Sequence, residues 1–173
     1  MSRHSRMLRW LPVLVTTLAM QIYASSGPRG ELAAQGKTAS APLVWPGFVV
    51  DVTLSEKAKG RLDDGKETLR VFGYYSGSPR VGASRKYISD EGEIGLGSFD
   101  VEFPVGSSAR IEGVKGARDA FEQTDGKTPM VLVNVVSGRK SSKNNLLECS
   151  IFENRLDTIQ AGHIPIACKL IAE

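Results

Sequence analysis

Three observations predict a mainly β protein, an immunoglobulin- or transthyretin-like β-sandwich of about seven strands with one or two short helices. Apolar and polar residues alternate with a period of two in several short runs. Glycine-, proline- and asparagine-rich turns separate those runs. Two cysteines fall on the apolar faces of the last two runs.

The first segment stands apart from that sandwich. Residues 1–26 pass from a basic leader (Arg3, Arg6, Arg9) through a mostly apolar stretch to the small residues Ala24, Ser25 and Ser26. This is the order of a secretory signal peptide, cut after Ser26. Pro12, Thr16, Thr17 and Gln21 interrupt the stretch, whereas a membrane anchor wants roughly 20 apolar residues. No cysteine lies near the cut, which argues against a lipid-modified N-terminus. Residues 27–42, "GPRGELAAQGKTASAP", offer few large apolar groups to bury and read as a flexible leader. The folded domain is then residues 43–173, about 130 residues, enough for one real core.

Cleavage changes the charge balance. The chain has 22 Lys plus Arg against 19 Asp plus Glu. Residues 1–26 carry three arginines and no acid, so the remainder has 19 of each and no net charge. A nucleic-acid partner requires a cationic surface that displaces phosphate counterions, so none is expected. The predicted location is periplasmic or secreted, with no membrane span after cleavage. The short basic leader and the lack of an Asn-x-Ser/Thr acceptor fit a bacterial periplasm.

The strands follow in order. "FVVDVTL" puts Phe48, Val50, Val52 and Leu54 on one face. A short helix follows, over residues 55–62, with Ser55 as its cap and Gly65 beyond its end. "TLRVFGYY" sets Leu69, Val71 and Tyr75 against Arg70, Phe72 and Tyr74. In "EIGLGSFDVEF" the apolar parity changes between Leu96 and Phe99, which predicts a bulge at Gly97 and Ser98. "ARIEGV" is a short strand, and residues 117–123 a second short helix. "MVLVNVV" alternates around Val131, Val133 and Val135. "LLECSIF" and "IPIACKLI" close the chain.

Little in the chain resembles catalytic chemistry. Once residues 1–26 are removed, His163 is the only histidine, and it reads as a turn residue at a strand start. Cys149 shares the parity of Leu147 and Ile151; Cys168 shares that of Ile164, Ile166 and Leu170. Two inward cysteines in an exported chain predict a buried disulfide, and closing a loop of this size stabilises by about 3 kcal/mol. "SGRK" at 137–140 has the S-x-x-K spacing of serine acyltransferases but follows a strand instead of opening a helix. No catalytic residue, metal ligand or cofactor is assigned.

The candidate binding residues lie in two long polar segments. "SGSPRVGASRK" (76–86) contributes Arg80, Arg85 and Lys86. "SGRKSSKNN" (137–145), expected to protrude as a hairpin loop, contributes Arg139, Lys140 and Lys143. Tyr74 and Tyr75 are the candidate aromatic anchors.

One stretch resembles a known family. Residues 50–81, "VDVTLSEKAKGRLDDGKETLRVFGYYSGSPRV", run strand, short helix, turn and a strand carrying "LRVF". The stretch is similar to a unit in the periplasmic β-sandwich domain of c-type cytochrome maturation proteins. The family's proline-rich "PMPLA" stretch and second "TVTLD"-like strand do not follow here. The resemblance implies a sandwich in an exported setting and assigns no activity.

The expected function is therefore that of a non-catalytic binding or accessory protein that recognises a protein or envelope component, with inhibition of an envelope-directed enzyme as its specific form. The alternatives are a carbohydrate-binding module and, third, an enzyme using Asp90, Glu91 or Glu93, with or without calcium.

Overall fold

The structure, a computed structural model, describes residues 43–171 and Glu173. The predicted signal peptide and leader lie outside the described residues. Ten strands and two α-helices occur among the described residues. They are β1 (Leu43–Trp45), β2 (Phe48–Leu54), α1 (Glu56–Asp64), β3 (Thr68–Gly77), β4 (Ile94–Pro104) and β5 (Ala109–Ile111). There follow β6 (Val114–Gly116), α2 (Arg118–Phe121), β7 (Met130–Ser137), β8 (Leu147–Cys149), β9 (Phe152–Arg155) and β10 (His163–Leu170).

Two four-stranded sheets pack against each other. One has the order β4-β3-β7-β9 and is antiparallel throughout; the other has the order β5-β2-β10-β8 and contains the parallel pair β2–β10. A two-stranded ribbon, β1–β6, completes the set. The chain is mainly β, as the alternation predicts. Seven expected strands became ten for three local reasons. The three-residue β1 carries no readable period. "ARIEGV" divides into β5 and β6, and "LLECSIF" divides into β8 and β9, which belong to different sheets.

Strand parity built the core. Val50 on β2, Leu69, Val71 and Tyr75 on β3, and Val131, Val133 and Val135 on β7 are all buried. Ile164, Ile166 and Cys168 of β10 meet them from the other sheet. The bulge falls where the apolar phase changes. Tyr75 pairs with Gly97 and Ser76 with Gly95, so Leu96 is the extra residue, and Gly97 adopts φ +147°. Both Leu96 and Phe103 thereby point inward although their parities differ.

Aromatic rings fill the space between the sheets. Trp45 stacks on Tyr75 at 6.2 Å and meets Phe121 edge-on at 5.3 Å. Phe99 touches Phe48 and Tyr75 edge-on, at separations where such pairs add to plain burial. The absence of a side chain at Gly73 admits the Phe99 ring. A Cβ there would lie 2.6 Å from Phe99 Cζ and 1.9 Å from the Leu132 carbonyl oxygen.

The helix after β2 formed as its cap predicts. Ser55 Oγ accepts the Ala58 N–H at 3.1 Å, and Ala58 and Leu62 are buried. Gly65 is the C-cap.

The disulfide joins Cys149 and Cys168, 19 residues apart, at directly opposed positions of β8 and β10. It is less buried than the parity argument expects. Cys168 is 5% exposed and Cys149 half-buried, while Ile151, its expected inward neighbour, is 60% exposed. The cause is the change of sheet between β8 and β9, which ends the alternation at Ser150.

Candidate functional site

The outer face of sheet β4-β3-β7-β9 is laid out by register. Arg70 stands between Glu102 and Val136, Phe72 between Asp100 and Asn134, and Tyr74 between Ser98 and Leu132. Period-two geometry puts all of these opposite the core. They surround a shallow groove of about 670 Å³ whose walls include Phe72, Tyr74, Leu132 and Val136. Its charged groups are Arg70, Asp100 and Arg139.

Two of those charges answer each other. Arg70 Nε donates to Asp100 Oδ1 at 2.6 Å, and Arg70 Nη2 donates to Asp100 Oδ2, a two-pronged ion pair. The Arg70 hydrogen bonds hold the Asp100 carboxyl below its ordinary range, and Asp100 in turn raises the Arg70 guanidinium. Arg139 makes no salt bridge with any described residue, so the groove keeps one uncompensated cation.

Arg139 is held in place by its backbone. It adopts φ +61°, a left-handed conformation that costs a non-glycine residue roughly 1–2 kcal/mol. The cost is offset by Glu67, a carboxylate only 5% exposed. Glu67 Oε1 accepts the Lys140 N–H at 2.7 Å and the Thr68 N–H at 3.2 Å; Oε2 accepts the Ser141 N–H and Oγ–H, both at 2.9 Å. Gly138 N–H donates to the Thr68 carbonyl at 2.8 Å. Burial alone would raise the Glu67 carboxyl, but these hydrogen bonds outweigh it and hold the group below its ordinary value.

The segment 137–145 is therefore not a protruding hairpin loop. It carries the chain from β7 in one sheet to β8 in the other, and it is pinned at both ends. Asn145 Oδ1 accepts the Ser137 and Leu147 N–H groups, and Ser137 Oγ accepts the Leu146 N–H. Lys140 is spent on Glu102 at 2.7 Å, while Lys143 is exposed and away from the groove lining.

The other candidates sit elsewhere. Ser137 pairs with Leu69 and Met130 with Ser76, so the segments 76–86 and 137–145 leave opposite ends of β3. A separation of about 25 Å follows from the rise per residue, and the six basic residues do not form one site. Arg80 donates to the Glu122 carbonyl at 3.1 Å and braces the end of α2. Lys86 lies over the Tyr87 ring at 4.5 Å, and Arg85 is exposed beside it. Tyr75 is corrected outright as an anchor. It is fully buried, its hydroxyl faces the Pro46 carbonyl at 3.5 Å, and burial pushes its pKa up to about 12. The parity that places Leu69 and Val71 inside already places Tyr75 with them. Tyr74 is 43% exposed and does line the groove.

Beyond Tyr74 a second groove of about 370 Å³ continues to Ser76, Ser89, Glu91 and Glu93. The acidic stretch is a tight turn there, with the Ser89 N–H on the Glu93 carbonyl at 2.8 Å and Gly92 at φ +86°. Among the described residues, no three His, Cys, Asp or Glu side chains gather closely enough to share a metal ion.

The outer face of the other sheet holds one polar cluster that sequence reasoning missed. Asp51 Oδ1 accepts from Ser108 Oγ at 2.6 Å, and Asp51 Oδ2 lies 2.6 Å from His163 Nδ1. The Ser108 hydrogen bond, then that of His163, lower the Asp51 carboxyl. Serine nucleophiles need the histidine between the serine and the acid. Here the acid is in the middle, so His163 cannot take the Ser108 proton. The cluster is a brace across β2, β10 and the start of β5.

No protein-family model, curated protein or solved structure matches the chain.

Proposed function

We propose that the chain is a non-catalytic binding protein that recognises a protein partner through the outer face of sheet β4-β3-β7-β9. The observation that carries this reading is the groove in which exposed Tyr74, half-buried Phe72 and Arg139, its backbone held and its guanidinium in no salt bridge with a described residue, converge. Tyrosine and arginine are the residue types that dominate binding energy at protein interfaces, because each combines apolar area with directed hydrogen bonds. The basic end segments are rim at most. Export to the periplasm or exterior after loss of residues 1–26 belongs to the same proposal. The disulfide supports it, since such bonds persist in oxidising compartments. No helix among the described residues is long and apolar enough to cross a membrane. The two packed sheets also support the immunoglobulin- or transthyretin-like fold as a proposed class.

The test is photocrosslinking from defined positions in an extract of the producing cell. A benzophenone side chain at Tyr74 is expected to give discrete adducts that one at Thr53, on the opposite sheet, does not. Adducts arising only from positions 85 or 143 would return the site to the loops and refute the sheet-face assignment.

Glycan binding is the second reading. It is favoured by Phe72 and Tyr74 standing two residues apart on one face beside a planar Arg70–Asp100 pair. A glycan array would decide it, since binding abolished by Tyr74→Ala would displace the protein-partner reading.

A further inference from the structure

The two grooves that meet at Tyr74 differ in charge. At one end lies Arg139 and at the other Glu91 and Glu93, none of which makes a salt bridge with a described residue. The apolar section between them is Phe72, Tyr74 and Leu132. Both grooves follow β3, from the Arg70 row to the Ser76 row, a length of about 20 Å at ~3.3 Å per residue. From this we infer that the trough takes an extended peptide segment of a partner protein, lying along β3, with an acidic residue at the Arg139 end, an apolar or aromatic residue over Tyr74, and a basic residue at the Glu91–Glu93 end.

Charge complementarity decides the occupant. An acidic segment would meet Arg139 but be repelled by Glu91 and Glu93; a basic one would meet the reverse. Only a segment carrying both signs, about six residues apart when extended, satisfies both ends. Orientation is thereby set before contact. The backbone at the cationic end is also preorganised: Glu67 fixes the 138–141 turn and holds Arg139 at φ +61°, so the turn itself need not be ordered on binding. The inference rests on the sheet-face reading and adds to it the chemistry and polarity of the partner.

The test uses a blocked peptide with aspartate near one end, phenylalanine in the middle and lysine near the other, with a nitroxide attached beside either charge. Backbone NMR of the whole chain reads the result. The label beside aspartate is expected to broaden the Gly138 and Arg139 amides, and the label beside lysine the Glu91 to Glu93 amides. The peptide with asparagine and glutamine in place of its charges should bind at least fivefold more weakly. Arg139→Gln should remove the preference for aspartate over asparagine while leaving that for lysine. Equal broadening from both labels, no loss on neutralisation, or no shift of the Tyr74 amide at millimolar peptide would overturn the inference. So would an oligosaccharide that shifts the same amides where the peptide does not. If crosslinks from Tyr74 to a protein persist while the peptide shows no polarity, this inference fails and the sheet-face reading survives.

Discussion

The two outer sheet faces share an architecture and differ in what they leave unsatisfied. On the face of β5-β2-β10-β8, Asp51 is answered by Ser108 and His163, and Lys169 faces Glu148 at 3.5 Å. Arg110, exposed on β5, makes no salt bridge with a described residue, but no exposed Phe, Tyr or Trp stands beside it. On the face of β4-β3-β7-β9, Arg70 and Asp100 answer each other, but Arg139 is left over beside exposed aromatic area. Two sheets of equal strand number thus present different outer surfaces, and the difference lies in a few outward positions. The β4-β3-β7-β9 face joins its unmet charge, Arg139, to the exposed ring of Tyr74, whereas Arg110 on the other face has no such neighbour.

The predictions test that contrast, from the largest effect to the smallest. Gly73→Ala should be the most damaging. Its Cβ would strike the Leu132 carbonyl, a backbone atom that cannot move aside, and a loss of about 3 kcal/mol or more is expected in urea unfolding. If Gly73→Ala folds normally, the floor of the contact face is less rigid than drawn. Replacing both cysteines by serine should cost about 3 kcal/mol, by the entropy of a loop of this length. The groove should still bind, since the disulfide belongs to the other sheet. Loss of groove binding in a folded cysteine-free variant would show that the two faces are coupled.

Glu67→Gln should cost about 2 kcal/mol, because a neutral amide presents its NH₂ to donors that a carboxylate accepts. The wild-type pH dependence follows the same group. The folded carboxyl lies below its ordinary value of 4.5, so its stabilising contribution is full above that value and is lost as pH falls through the lower, folded one. Hydrogen exchange at the Lys140 and Ser141 amides, corrected for intrinsic rate, should therefore lose protection under acid before the β3–β7 ladder does. Protection of these two amides left unchanged by Glu67→Gln would remove Glu67 as the anchor of Arg139. The smallest effect is expected from His163→Ala. The pair with Asp51 is about half exposed on both sides, and exposed ion pairs are worth roughly 0–1 kcal/mol. A thermal shift of more than a few degrees would mean that this pair is more than an exposed ion pair.

Much of the fold was legible because strand parity is local. Val131, Val133 and Val135, the bulge near Gly97 and the Ser55 cap each depend on neighbours within a few residues. The change of sheet after Cys149 was not legible, because Leu147, Cys149 and Ile151 keep one apolar parity in the sequence while Ile151 is 60% exposed in the structure. The hairpin expected for 137–145 failed on a non-local fact, since strand–loop–strand patterning does not say whether the second strand pairs with the first. The loop's length was a hint, as hairpins favour two to five residues. The site was less legible. Tyr74 and Arg139 were named from residue type, and the outward parity of Phe72 was read. Glu67 left no local signal at all: its partners lie 73 and 74 positions away. His163 and Asp51, 112 positions apart, met only because β10 lies parallel to β2.

That parallel pairing has a consequence for the order of assembly. β10 follows every other strand in sequence, yet it occupies an interior place between β2 and β8, and its Cys168 carbonyl accepts the Ser55 N–H at 2.9 Å as α1 begins. The β4-β3-β7 ladder can form from chain already available, but its opposing sheet waits for residues 163–170. Until they arrive, β2 has no central neighbour and Cys149 has no partner to oxidise with. In chain order the β4-β3-β7 ladder is therefore complete before β10 closes the opposing sheet and brings Cys168 to Cys149.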